Sequence, residues 1–302
     1  MLHALLQLLI LLLLAPLLPG VVNRVKAAFA GRRGPPAWQL YADLWKLLRK
    51  GAVYSGTTSW VFRAGPMVAL ASAAAAALLL PVGALPAPVS FAGDFALFAG
   101  LLALGRFFTA LAALDTGSSF EGMGAAREVS FGSAAEPALL LSLAVLARTT
   151  GSASLGGMLG PALDGAWIAA APSLILAAVA FGLVALAENA RIPVDDPNTH
   201  LELTMIHEVM VLDHSGPDLC LVQAGAALKL LLFGAFLAQL VGAGRPAGTP
   251  WGLAAFVAGL LGFALLVGLV ESAMARLQMQ RVPQLLVGAS VLSLFALVLV
   301  LQ

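Results

Sequence analysis

Charge is what this sequence has least of: Asp, Glu, Lys and Arg make up 10% of its 302 residues, and 61% are hydrophobic. A soluble domain carries about 25% charged residues, and so few ionic groups cannot cover a water-exposed surface of this size. An ordinary soluble enzyme is thereby excluded. Cysteine is nearly absent as well. The lone Cys220 excludes an intrachain disulfide and any iron–sulfur cluster held by this chain's cysteines alone. A formal net charge of +1 says nothing in bulk about nucleic acid or acidic substrates, and no nucleic-acid partner is expected. No catalytic triad, phosphate loop or metal-binding cluster occurs, and no period typical of solenoid repeats is visible.

What is present is length of apolar run. Stretches near the ~20 residues that span a bilayer fall at 2–22, 65–85, 91–114, 130–147, 167–187, 219–241, 252–270 and 283–301. The fold class expected is an all-α integral membrane protein, one membrane domain over 1–302 built as a bundle of about eight transmembrane helices. The first run has no basic residue before it and is followed by Asn23, Arg24 and Lys26. That is the reverse of a secretory signal, so it reads as a retained helix with its N-terminus outside.

Threading eight spans from there puts twelve of the 16 basic residues on one side: Arg24, Lys26, Arg32, Arg33, Lys46, Arg49, Lys50, Arg63, Arg127, Arg191, Arg276 and Arg281. Arg148 and Arg245 fall opposite, and Arg106 and Lys229 lie within spans. The positive-inside rule makes the richer side cytoplasmic and both termini periplasmic; a cell inner membrane is the expected location.

Two cytoplasmic connections, 23–64 and 188–217, are far longer than a helix–helix turn needs. In the first, Pro36 suits a first helical turn and Gly51 a C-terminal stop. Between them Trp38, Tyr41, Trp45 and Leu48 share one aromatic face that ends in Lys46, Arg49 and Lys50. Such an amphipathic helix suits the lipid headgroup level or a docking surface for a soluble partner, and one helix can serve both. In the second, ENARIPVDDPNTHLELTMIHEVMVLDHSGP, Pro193 and Pro197 end the fifth span. Asn198 or Thr199 can then cap a new helix closing near Ser215, before Gly216 and Pro217. Glu188, Asp195, Asp196, Glu202, Glu208, Asp213 and Asp218 fall in or beside this stretch. His200, His207 and His214 are spaced by seven, hence on one helical face. Residues i and i+7 stand about 10 Å apart along a helix, too far for shared metal ligation. A solvated polar face is the first reading of the three histidines, and proton exchange the second.

Arg106, Glu128, Glu136, Glu188, Lys229 and Glu271 are expected at or inside the hydrocarbon boundary. Each costs a few kcal/mol or more facing lipid, so each should turn into the bundle. Glu136 sits mid-span before Pro137 with no cation nearby in sequence. It reads as an isolated carboxyl of raised pKa, fit for a proton relay, or as the partner of Lys229 or Arg106.

Three segments carry a resemblance. AENARIPVDDPNTHLELTMIHEVMVLDHSG is similar to the signature loop of the formate hydrogenlyase subunit 4 and hydrogenase-4 component C family, GPPAWQLYADLWKLLRKG to its first cytoplasmic loop, and ALDTGSSFEGMGAAREVSFGSAAEP to the connection into its fourth span. These are membrane subunits of energy-converting [NiFe]-hydrogenases, homologous to NADH dehydrogenase subunit 1 of respiratory complex I. Ala187, Glu188, Asn189, Arg191, Pro193, Asp195 and Pro197 keep the complex I frame AE-x-N-R-x-P-F-D-x-P-E, but Val194 replaces its Phe and Asn198 its Glu. Leu40 stands where a proline commonly follows the Gln.

The resemblance implies a membrane anchor that joins a soluble redox arm to an ion path moving protons or sodium. It implies no cofactor on this chain, with the NiFe centre and iron–sulfur clusters in partner subunits. Those partners would be hydrogenase large and small subunits, an iron–sulfur subunit and antiporter-like membrane subunits. Glu136, Glu188, Glu202 and Glu208 carry over as path carboxylates; Glu128, Glu271, Lys229 and Arg106 join them as charges at membrane depth. Asp43, Lys46, Arg191, Asp195 and Asp196 are docking-loop candidates. The alternatives are a quinone-chamber subunit of an NADH:quinone oxidoreductase and, from another class, a stand-alone secondary transporter, against which stands the absence of an inverted repeat.

Overall fold

A computed structural model of the chain describes residues 2–195, 205–242 and 250–302. Eleven α-helices form there: α1 Leu2–Leu14, α2 Leu17–Phe29, α3 Gln39–Leu48, α4 Trp60–Ala77, α5 Asp94–Asp115, α6 Ser119–Thr150, α7 Leu155–Met158, α8 Ala162–Glu188, α9 Gly216–Val241, α10 Pro250–Ala273 and α11 Val282–Leu301. Among the described residues, eight stretches are long and apolar enough to cross a membrane; the first, Ala4–Phe29, combines α1 and α2. The expected number of spans is therefore found.

Small residues let the spans approach closely, which is how helices associate where lipid removes the hydrophobic drive. A Cβ on Gly65 of α4 would sit 2.7 Å from the Ala112 Cβ of α5, and one on Gly105 of α5 would sit 2.7 Å from the Ser72 Oγ of α4. α4 packs on α5 and α9, α6 on α8 and α11, and α10 on α2 and α9. The Asp115 carboxylate at the end of α5 accepts the Ser59 and Phe62 backbone N–H groups at 2.7 and 3.2 Å, holding the start of α4. Pro66, Pro137 and Pro172 lie within α4, α6 and α8, tolerated because neighbouring helices shield the freed carbonyls.

The structure departs from the sequence reading at three boundaries. α2 runs on past Val22 to Phe29, and α6 starts at Ser119 rather than near Ser130, carrying Glu121 and Glu128 on its extra turns. A helix closing near Ser215 is absent from residues 205–215, where only a 3-10 turn, Glu208–Val211, forms; its expected start at Asn198 or Thr199 lies outside the described residues. Side chains compete for that segment's backbone. Asp195 accepts the N–H groups of Ile206 and His207 at 3.2 and 3.1 Å, and Glu121 accepts that of Asp213 at 3.0 Å. Acceptors of this kind offer the chain an alternative to helix.

The first connection returns to the bundle after α2. Ala37 lies so close to Gly20 that a Cβ there would run into the Ala37 carbonyl oxygen. Further on, the Val53 N–H donates to Ser215 Oγ at 3.1 Å, joining this connection to the start of α9. Because the atom facing Gly20 is backbone, Gly20→Ala should force α2 and the first connection apart. An overpacking cost of about 1–3 kcal/mol is expected, read as a lowered unfolding midpoint of the detergent-solubilised protein.

Candidate functional site

The site is built where α5, α6, α8 and α9 meet the second long connection. α8 ends at Glu188, and Ala190 takes a left-handed conformation (φ 51°) that turns the chain aside. Asn189 closes the helix through its side-chain amide, which donates to the Ala185 carbonyl at 2.7 Å. The departing segment is pinned when the Leu277 N–H donates to the Pro193 carbonyl at 2.9 Å. Glu188 is thereby left at the mouth of the bundle, with Arg191 and Asp195 following it in the connection.

Arg106 of α5 is the hub. Its guanidinium donates through Nη1 to Glu188 and through Nη2 to Glu136 of α6. Gly132 makes room, since a Cβ at that position would lie 2.7 Å from Arg106 Cζ. The second Glu188 oxygen pairs with Lys229 Nζ of α9 at 2.6 Å. About two turns before Glu136 on α6, Glu128 meets His207 Nε2 at 3.1 Å, while His207 Nδ1 faces Asp195 at 3.4 Å. Asp195 also receives Arg276 at 3.0 Å. Glu271, its side chain fully buried on α10, pairs with Lys26 at 2.8 Å and Arg191 at 3.4 Å.

Arg106, Glu128, Glu188, His207 and Lys229 line a cavity of about 550 Å³, whose walls also include Leu40, Leu102 and Val222. The core of the cluster sets three carboxylates, Glu128, Glu136 and Glu188, against three cations, Arg106, Lys229 and His207. With opposite charges balanced in a low-dielectric setting, one added proton has a large effect on all of its neighbours.

Burial opposes a charged His207 ring, but Glu128 and Asp195 on either side outweigh it and hold its pKa well above the ordinary value. Burial likewise opposes an ionised Asp195, and the His207 and Arg276 contacts reverse this, leaving its carboxyl below the usual range. His214, stacked on Phe62 with ring centroids 4.0 Å apart, is pushed down by burial.

Of the membrane-depth residues expected to turn into the bundle, Arg106, Glu128, Glu188, Lys229 and Glu271 do so, Glu271 in a separate group with Lys26 and Arg191; Glu136 does not. Two expectations are corrected. Glu136 is not an isolated buried carboxyl: it pairs with Arg106, and its side chain is 47% exposed on the outer surface of the bundle. Nor do the histidines form a solvated helical face. His207 is locked between two acids and His214 is buried, while His200 lies outside the described residues. Glu202 and Asp196 also lie outside them. Glu208 lines the cavity, and Asp43 accepts the Gln39 amide at 3.1 Å on α3, away from the cluster. The sequence did not reveal His207, Arg276, Lys26 and Glu121 as partners. His207 was hidden by the seven-residue period, which suggested a helix that is absent from residues 205–215. Among the described residues no group of side chains could hold a metal ion.

Because folding raises the His207 pKa, its stabilising contribution is complete below about pH 6.5 and lost as pH rises through the raised folded value. His207→Gln leaves Glu128 short of a cation and should cost about 3 kcal/mol near pH 7. Unfolding of both proteins in detergent from neutral to strongly alkaline pH should show the gap closing at the alkaline end; a constant gap contradicts the assignment.

Comparison with known proteins agrees with this architecture. The family described as NADH dehydrogenase matches residues 2–301. Formate hydrogenlyase subunit 4 of Escherichia coli is 33% identical over 297 residues, 94% of this chain and 93% of that protein. Hydrogenase-4 component C of Escherichia coli is 37% identical over 237 residues, 78% and 74% of the two chains. A subunit of the NADH-quinone oxidoreductase of Rubrobacter xylanophilus is 28% identical over 200 residues, 66% of this chain and 60% of that one. In fold, the chain superposes with a TM-score of 0.82 on a chain of the membrane-bound sulfane sulfur reductase, an archaeal respiratory membrane complex, at 20% identity and covering 99% and 98% of the two chains. Matched almost end to end, the chain belongs to the NADH dehydrogenase family and resembles its hydrogenase-4 component C and formate hydrogenlyase subunit 4 members.

Proposed function

We propose that this chain is the membrane-anchor and ion-coupling subunit of a membrane-bound [NiFe]-hydrogenase or formate hydrogenlyase-type complex. The observation that carries the reading is the run of charged contacts from the second connection into the bundle: Arg276–Asp195–His207–Glu128 at one end, Lys229–Glu188–Arg106–Glu136 at the other. Buried ion pairs add little net stability, and ionisable groups at membrane depth mark ion paths. The relatives named as hydrogenase-4 component C and formate hydrogenlyase subunit 4 support the choice of complex.

In this reading the two long connections face a redox arm on the cytoplasmic side, whose subunits hold the NiFe centre and iron–sulfur clusters. A change of charge beside the cavity alters how His207 shares its proton between Glu128 and Asp195. Glu128 lies within the field of Arg106 and Lys229, so the change is passed to Glu188 and Glu136. Glu136, half-exposed on α6, is where the path leaves this chain toward an antiporter-like neighbour in the inner membrane.

Glu136→Gln keeps a hydrogen-bond acceptor for Arg106 but removes the titrating group. It should abolish ion movement in vesicles containing the complex while assembly and hydrogen evolution persist; unchanged pumping sinks the assignment. Co-purification with a nickel- and iron–sulfur-containing module tests the choice of complex independently.

A quinone-chamber subunit of an NADH:quinone oxidoreductase is the second reading, favoured by one observation. The cavity combines apolar Leu40, Leu102 and Val222 with the charged groups of the cluster, a lining that suits an amphiphile. Under the hydrogenase reading, quinone analogues leave turnover unchanged; inhibition by them, together with loss of quinone-dependent turnover in Leu102→Trp, whose larger side chain fills the cavity, selects the quinone reading instead.

A further inference from the structure

The aromatic face expected on the first connection is divided: Tyr41 turns to the bundle, while Trp38, Trp45 and Leu48 form a side of α3 that no described part of this chain covers. α3 has no buried residue. Its inner side is engaged by the bundle: Tyr41 donates to the Leu13 carbonyl, Leu40 lines the cavity, and the Cys220 thiol approaches the Leu44 carbonyl at 3.5 Å. Trp38 and Trp45 are 63% and 59% exposed, with Leu48 exposed beside them. This short helix therefore has an apolar side packed on protein and an apolar side packed on nothing in the described chain.

Two further observations say what covers it. Exposed aromatics also stand at the ends of the two spans that this connection joins, where Phe29 closes Ala4–Phe29 and Trp60 opens Trp60–Ala77. Aromatic rings gather at span ends in membrane proteins, at the headgroup level, because such rings are amphipathic. The second observation is charge. Residues 23–64 hold eight basic residues and one acidic residue, Asp43, in a chain whose net charge is only +1. Lys26 is taken by Glu271, and Arg63 lies over the Tyr54 ring at 4.1 Å. Among the described residues no carboxylate pairs with Lys46, Arg49 or Lys50. Instead the Arg49 guanidinium rests on the face of Trp45, 4.5 Å from its centroid, beside Lys46 and Lys50 on the exposed end of the helix.

We infer that the outer face of α3 is a binding surface for anionic phospholipid, with Trp38, Trp45 and Leu48 set among the upper acyl segments and Lys46, Arg49 and Lys50 on the phosphates. Trp45 holds the Arg49 guanidinium at the headgroup level, where it forms charge-assisted bonds to phosphate oxygen. The surface anchors the first connection, and with it the α3 wall of the cavity, to the bilayer. It does not depend on whether ions or quinone use that cavity.

The test is photolabelling of the full chain in its membrane complex, held in phosphatidylcholine nanodiscs. These carry a trace of phosphatidylglycerol or, separately, phosphatidylcholine with a photoreactive headgroup, and labelled peptides are mapped. Residues 38–50 should take up phosphatidylglycerol several-fold over phosphatidylcholine. Each basic residue near an anionic surface contributes about fivefold, so a K46Q/R49Q/K50Q variant should lower that labelling at least fivefold. Labelling around Trp251, exposed at the opposite end of the spans, should stay constant and shows that the variant has folded. Equal labelling by the two lipids, labelling indifferent to the variant, or α3 crosslinked to a soluble subunit in place of lipid would each overturn the inference.

Discussion

A guanidinium among apolar helices needs counter-charges, and the bundle is arranged around that need. Arg106 sits mid-way along α5, and its two donor arms require carboxylates arriving from two other helices. Glu188 can meet it only because α8 ends there, and Glu136 only because Gly132 leaves the guanidinium space against α6. Lys229 then completes Glu188 from α9. Exposure of any of these groups to hydrocarbon costs about 2.5–3.5 kcal/mol or more. The gain from pairing is specificity: misregistered helices would leave charges unmatched.

The same constraint organises the connection outside the spans. Its segment after Met205 does not follow helix propensity, since Asp195 and Glu121 withdraw its backbone N–H groups from a helical ladder. The result is an irregular floor to the cavity, with His207 inserted between an acid of α6 and an acid of the connection. A helix there would have carried His207 and His214 on one face; the observed path sends one into the charged cluster and the other against Phe62. Irregular backbone at this depth is tolerated where it is buried in protein or lines a cavity. His207, part of that floor, is also a member of the charged cluster.

Three surfaces of the molecule consequently face three different surroundings. The lipid-facing sides of the spans are apolar, the connection end is rich in charge, and the half-exposed Glu136 breaks the apolar surface at one point. α3 divides its two apolar sides between bundle and bilayer, which places a cavity wall under the influence of the membrane.

Much of this was legible from residues alone. Eight spans followed from apolar run length, since about 20 residues at 1.5 Å each must cross the hydrocarbon. The need for Arg106, Glu188 and Lys229 to turn inward followed from the cost of charge in lipid, and the family followed from three long motifs. The pairing itself was not legible. Glu136 had both Arg106 and Lys229 as formal partners, and only the packing of α5 against α6 puts the first within reach. Sequence period also misplaced His207, because a seven-residue spacing implies one helical face only if a helix forms. Whether it forms depended on carboxylates from Glu121 and Asp195, at α6 and at the start of the connection, and contacts over such separations leave no local trace. The residues determined which charges must be satisfied; the tertiary structure decided by whom, since ion pairing depends on distances that the run of chain alone does not set.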